Sequence, residues 1–362
     1  MGDYVNARDK LVLLLAVSVT SGMLLPARVT AAGSGTALSN AAAALNAGEW
    51  VELTTGNIDT PLSDTVAGGS DRLLTYADKL HWDPVTNRIY LMNSDDPGDG
   101  RRFVAYDEAT NAWVVLPDPW GAGVAHQYGL ADIDVSGRRI YTIMPDGDRG
   151  MYYDLAAQSF VNLSVPSGPY SCCGAVAYFP ERHSLIYAHG ATLRERSDTG
   201  QWSELSTNIN TTYHAIAHYD PVHKLVLFGG GNDSNRTFYK IDQNGQITSL
   251  KQPPLSLESP RVEFVVNPAT GMFLVFGLGQ QYYSYNPATD TWTTLQASSV
   301  PATLWTGNEF GGNMLTTLAT PISRYGVAFF ASCANGGTCR VHLYKFGPPP
   351  PVPNAPGTLT AN

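Results

Sequence analysis

An aromatic residue, a turn and a second aromatic residue recur along this chain. The clear copies are YDEATNAW (106–113), YDLAAQSF (153–160) and YNPATDTW (285–292). Weaker copies are RSDTGQW (196–202) and IDQNGQI (241–247), so the second aromatic or its substitute falls at 113, 160, 202, 247 and 292. A period in the mid-forties (~45 residues) constrains the fold more than any local feature, because each unit must bury its apolar face against the next copy.

Each copy follows a second motif: HWDPVTNRIYLM, DIDVSGRRIYTI, AYFPERHSLIYA, HYDPVHKLVLFGGG, VVNPATGMFLVFGLG and LATPISRYGVAFF. Each reads as an apolar strand, a Pro/Gly/Asn/Asp turn and a strand rich in β-branched and aromatic residues. One repeat therefore holds two hairpins, and four strands per unit at this period is a propeller blade. The six starts are Asp83, Asp134, Phe179, Asp220, Asn267 and Thr320. The sixth unit ends at HLYKF (342–346) without an outer strand, and GEWVEL (48–53) resembles the outer-strand segments NAWVVL and DTWTTL. The expectation is an all-β, six-bladed propeller whose ring is closed by an N-terminal outer strand in the last blade, leaving no exposed edge there.

The diglycine Gly229-Gly230, and the looser Gly277 and Gly279, each followed by Tyr and Trp, resemble the kelch repeat. The span from about Gly48 to Phe346 is similar to kelch-type propellers such as the central domain of galactose oxidase. CCGAVAYFP and YDPVHKLVLFGGGN resemble a group of secreted bacterial kelch-like proteins of unassigned activity. The resemblance implies a fold; propellers host oxidases, lyases, glycosidases and binding scaffolds, so it does not choose among functions.

The N-terminus reads as a secretory signal over 1–31: Arg8 and Lys10, an apolar run from Leu11 to Leu25, then Val29 and Ala31 at cleavage-site spacing. A flexible leader (32–47), the propeller (48–347) and a Pro-rich linker (348–362) complete the expected organisation. The tail NAPGTLTA resembles the first strand of a fibronectin type III domain, so a following domain is expected to have been lost. The expected location is extracellular or periplasmic, as a monomer without membrane insertion after signal cleavage. A net charge of −9, with 22 Lys plus Arg and no basic cluster, argues against nucleic acid and anionic membranes as partners. Four cysteines in an oxidising compartment form an even set. Cys333 and Cys339 flank ANGGT, which reads as a hairpin tip closed by a structural disulfide.

Six residues before the six starts stand Ala77, Tyr128, Cys173, His214, Arg261 and Met314. These mark the central mouth where inner strands begin, with His126 and Tyr213 just outside. Below them the inner strands read as mostly apolar or small. Arg261 has Glu263 as the carboxylate close in sequence. Cys172 and Cys173 are adjacent; a vicinal disulfide would make a rigid apolar plate suited to a sugar face, two thiols are the alternative, and a copper or zinc site with His214 and His126 ranks third. No cofactor follows and no metal ligand is assigned. His189 and Asn232 lie after second strands, where loops reach back toward the mouth.

The leading functional expectation is binding of an extracellular glycan or polysaccharide at the mouth, with Cys172, Cys173, Tyr76, Tyr170, His189 and Asn232 as contacts beside Tyr128 and Tyr213. Whether the protein is an enzyme stays open. The first alternative is a polysaccharide lyase acting by β-elimination on uronic-acid glycans. There Arg261 would neutralise the carboxylate, His214 (or His126) would take the proton, and Tyr128 or Tyr213 would protonate the leaving oxygen. The second alternative, resting on the resemblance to galactose oxidase, is a copper-dependent carbohydrate oxidase; it ranks below the lyase because no local motif matches.

Overall fold

The computed structural model describes residues 35–62, 72–75, 77–93, 102–117, 129–143, 149–164, 174–305, 315–334 and 338–347. They form six four-stranded antiparallel sheets, one per repeat. Blade 1 comprises His81–Asp83, Arg88–Asn93, Arg102–Asp107 and Ala112–Leu116, running outward from the axis. The inner strands of blades 2 to 5 are Ala131–Asp134, Ala175–Phe179, Ile216–Asp220 and Val262–Val266. Blade 6 takes Thr317–Ile322, Val327–Cys333 and Cys339–Lys345, then Trp50–Glu52 as its outer strand. Trp50 pairs with Tyr344, Val51 with Leu343 and Glu52 with His342, which is the expected ring closure. The Trp50 indole lies 4.8 Å from the Tyr344 ring, 5.1 Å from Phe330 and 6.2 Å from Phe276 of blade 5.

The repeated residues explain the register. The two aromatics of each clear copy sit directly opposite one another in the outer hairpin: Tyr106 with Trp113, Tyr153 with Phe160, Tyr285 with Trp292. Such cross-strand pairs are the unit of sheet stabilisation. The carboxylate or amide that follows the first aromatic folds the turn. Asp107 accepts from Ala109 N, Asp154 from Ala156 N and Asn286 from Ala288 N, at 2.9 to 3.0 Å.

The inner hairpins share a second rule. Four residues after each start the backbone turns left-handed, at Asn87, Arg138, His183, Lys224 and Gly271. In blade 6 the left-handed residue is Gly326, and Ile322 pairs with Val327 as Phe179 pairs with Ser184. The sixth start is therefore Ile322 and not Thr320. The Thr320-Pro321 pair imitates the residue-plus-proline step of the other blades, and it places the sequence alignment two residues early. The sixth residue of the mouth register is Thr316, in place of Met314.

Among the described residues, one apolar cluster fills each interface between neighbouring blades. Blades 1 and 2 meet through Tyr90, Phe103, Ile140 and Tyr153; blades 3 and 4 through Phe179, Ile186, Val226 and Phe228. Part of the stretch expected to be a flexible leader is helical. Ala37–Ala44 is capped by Thr36, whose hydroxyl accepts from Ser39 N, and it buries Leu38 and Ala42 in the cluster between blades 6 and 1. Alanine-rich composition favours the helix and its apolar stripe holds it on the ring. The Cys333–Cys339 disulfide is formed. Among the described residues no helix is long and apolar enough to cross a membrane. The expected signal segment, the Pro-rich tail, Cys172 and Cys173 lie outside the described residues.

Candidate functional site

The mouth of blades 4 and 5 is built by backbone. Gly230 adopts φ +71, and a Cβ there would lie 2.1 Å from the Leu257 carbonyl. With no side chain in the way, three segments tie together. Thr212 N donates to Gly230 O (3.0 Å), Gly231 N to Leu257 O (2.7 Å), Asn232 N to Tyr213 O (2.7 Å) and Ser259 N to His214 O (2.7 Å). These bonds bring Tyr213, His214, Asn232 and Glu258 into one place. His214 itself takes φ +63, a region that non-glycine residues occupy sparingly.

Glu258, 5% exposed, is the hub. One oxygen lies 3.2 Å from Arg261 Nη1 and the other 3.5 Å from His214 Nδ1. The Asn232 side-chain amide lies 2.6 Å from His214 Nδ1 and 3.2 Å from Glu258 Oε1. Arg261 keeps an exposed guanidinium edge (42%), while its Nε is buried without a partner among the described residues. Tyr213 is 47% exposed, and the His189 ring stands edge-on to it at 6.3 Å. Burial, then the Arg194 charge, hold the His189 imidazole below its ordinary pKa.

His214, Arg261, Tyr213, Asn232 and His189 therefore share one end of the inner strands. Tyr76, His126, Tyr128, Tyr170, Cys172 and Cys173 lie outside the described residues. Arg261 pairs with Glu258 and not with Glu263. Glu258 lies in the connection between the outer strand of blade 4 and the inner strand of blade 5, outside the strand register from which the sequence is aligned.

The axis below the mouth corrects a second expectation. It is charged, not merely apolar or small. Lys79 Nζ donates to the main-chain carbonyls of Val176 (2.7 Å) and Ala217 (2.6 Å), and it lies 3.9 Å from Asp78 and 4.0 Å from Asp132. Asp132 accepts from Tyr178 N at 2.8 Å, and Glu263 accepts from Ala319 N at 2.7 Å. An inner strand is a sheet edge with N–H and C=O groups turned to the axis, and these side chains satisfy four of them, on blades 3, 4 and 6. Burial dominates their protonation. It raises Asp78 to about 7 against the lowering effect of Lys79, raises Asp132, and carries Glu263 well above the carboxylate range. Burial first, then Lys79, lowers His81 to about 3 and His218 well below its usual value. Gly129 leaves the room Asp78 occupies, since a Cβ there would lie 2.8 Å from its carboxylate.

No protein-family model matches this chain, and no curated protein matches it. Solved structures do. A protein of unknown function from Bacteroides thetaiotaomicron superposes with TM-score 0.54 at 12% identity, over 82% of this chain and 76% of that one. Virginiamycin B lyase from Staphylococcus aureus superposes with TM-score 0.51 at 11% identity, over 82% of this chain and 99% of that one. The likeness is one of fold. The kelch and galactose-oxidase resemblance finds no family match. Of the donors weighed for a metal, only His214 lies within the described residues, and its Nδ1 is engaged by Asn232. No group of three or more His, Cys, Asp or Glu among the described residues is placed to hold a metal.

Proposed function

We propose that this propeller is an exported protein that binds an extracellular carbohydrate at its central mouth. The observation that carries the reading is Glu258, a buried carboxylate 3.2 Å from Arg261 Nη1 and 3.5 Å from His214 Nδ1, which gathers these side chains next to exposed Tyr213. Tyr213 offers an aromatic face to a sugar ring. Arg261 and the His214 imidazole offer polar partners to its hydroxyls or carboxylate, as sites with a few convergent polar groups do. The arginine favours acidic sugars over neutral ones. The disulfide Cys333–Cys339 accords with export. Calorimetric titration with a panel of acidic and neutral polysaccharides tests the proposal. Binding is expected for an acidic member, weakened about tenfold or more by Arg261→Ala and by Tyr213→Ala. Silence across the panel, or indifference of both variants, overturns it.

A second reading, a lyase, is favoured by the adjacency of Arg261 and His214 through Glu258. In β-elimination a base removes the proton beside the uronate carboxylate, the electron pair forms the new C=C bond, and the glycosidic C–O bond breaks onto an oxygen that takes up a proton. There Arg261 would neutralise the carboxylate, His214 or His126 would take the proton, and Tyr213 or Tyr128 would protonate the leaving oxygen. New ultraviolet absorbance from the unsaturated product, lost in Tyr213→Phe, supports this reading; none on any acidic polysaccharide removes it.

A further inference from the structure

At the opposite end of the inner strands from the mouth lies a cavity of about 630 Å³. It opens where the inner strands hand over to their turns, so its rim carries Pro84, Val135, Pro180, Pro221 and Pro268. Val85, Val135 and Val222, among the few exposed large apolar side chains, sit in these turns at 66%, 40% and 41% exposure. The walls are rings: Trp82, Tyr178, Tyr219, Phe264 and Phe273. The inner end is polar, formed by Lys79, Asp132 and His218. Lys79 stands five residues before Pro84, so the cavity runs roughly 16 Å along the strand at about 3.3 Å per residue. That volume lies within the range of small-molecule sites.

His218 decides what the inner end can accept. Its ring stacks on Phe264 at 5.2 Å with an interplanar angle of 19°, and it is 8% exposed. Burial keeps it neutral, with one N–H donor and one lone pair. It makes no hydrogen bond with any described residue, which leaves its ring nitrogens to the cavity that it lines. Asp132 belongs to the same lining, and the Lys79 ammonium lies 4.0 Å from it and 3.9 Å from Asp78. An anionic head group would meet no uncompensated positive charge there. A hydroxyl both donates and accepts, as a neutral imidazole requires of its partner.

We propose that this cavity is a binding site for a neutral hydroxylated ring compound, an aromatic or alicyclic alcohol. Its rings lie against the Trp82, Tyr219 and Phe264 walls and its hydroxyl reaches His218 and Asp132. The site is separate from the mouth and does not depend on the carbohydrate reading.

The probes are 1-naphthol, 1-methoxynaphthalene and 1-naphthoate, titrated by calorimetry into the full chain and into two variants. One-to-one binding of 1-naphthol is expected, tighter than the other two. His218→Phe keeps the stacked ring and removes both hydrogen bonds. It should weaken 1-naphthol about tenfold and leave 1-methoxynaphthalene within about twofold. Val135→Trp, at an exposed rim position that tolerates the change, should weaken both by obstructing entry. The proposal is overturned if neither naphthalene saturates a single site, if 1-naphthoate binds most tightly, or if Val135→Trp leaves 1-naphthol binding unchanged.

Discussion

Lys79, in blade 1, donates to the carbonyl of Ala217 in blade 4, 2.6 Å away on the far side of the axis. One side chain thus joins opposite blades and, through Val176, blade 3. Removing it leaves two carbonyls and the Asp132 carboxylate without their counter-charge. Lys79→Met should cost about 3–5 kcal/mol, the usual penalty for orphaning a buried ion. Adding Asp132→Asn should recover part of that loss, because the two residues share one network. Urea unfolding of the two single variants and the double variant checks both statements.

Asp78 sets a pH dependence. Its pKa in the fold, about 7, stands above the ordinary 3.8, chiefly through burial. Its contribution is complete below pH 4 and is lost as pH rises through 7. His81 and His218 act with the opposite sign, since their lowered values cost stability as pH falls below 6.5. The wild type alone therefore shows a blunted profile, and the variant isolates the term. Asp78→Asn should gain stability over wild type between pH 4 and pH 8, by an amount on the order of 4 kcal/mol at most. Denaturant midpoints at the two pH values measure it; equal differences would refute the assignment.

Ring closure rests on a single short strand. Trp50→Ala removes the indole from between Tyr344, Phe330 and Phe276. The substitution should cost about 2–3 kcal/mol, below the range for a fully buried tryptophan because Trp50 is half-buried. Hydrogen exchange should rise first in Cys339–Lys345, its paired neighbour, before the central blades respond.

Gly230→Ala tests how the mouth is assembled. The added methyl would meet the Leu257 carbonyl at 2.1 Å in a left-handed backbone, so the 257–259 segment must move away. A loss of more than about 1 kcal/mol is expected, together with loss of whatever binding depends on Arg261 and Tyr213. Unchanged stability and unchanged binding would show that Glu258 does not need this contact.

The blades were legible because their determinants are local and repeated: a cross-strand aromatic pair, an Asp or Asn that folds the turn, a left-handed residue at a constant offset. Blade 6 misled where Thr320-Pro321 copied one of those signals, and the better marker was the glycine at 326. At the mouth, His214 and Arg261 could be found by counting back from the turns. Glu258 could not, because it sits in an irregular connection whose path depends on the close backbone approach at Gly230. Lys79, Asp78 and Asp132 were missed for a different reason. Their partners are main-chain groups of sheet edges facing the axis, and edge polarity leaves no mark on the residues that carry it.

The pairing of Trp50 with Tyr344 also bears on the order in which the molecule comes into being. The strand that seals the last blade is synthesised before any other strand of the ring, and it has no partner until nearly everything else has been made. A product lacking Cys339–Lys345 would leave that strand unmatched. Closure thus couples the two ends of the ring: the last blade is complete only when both halves of this sheet are present.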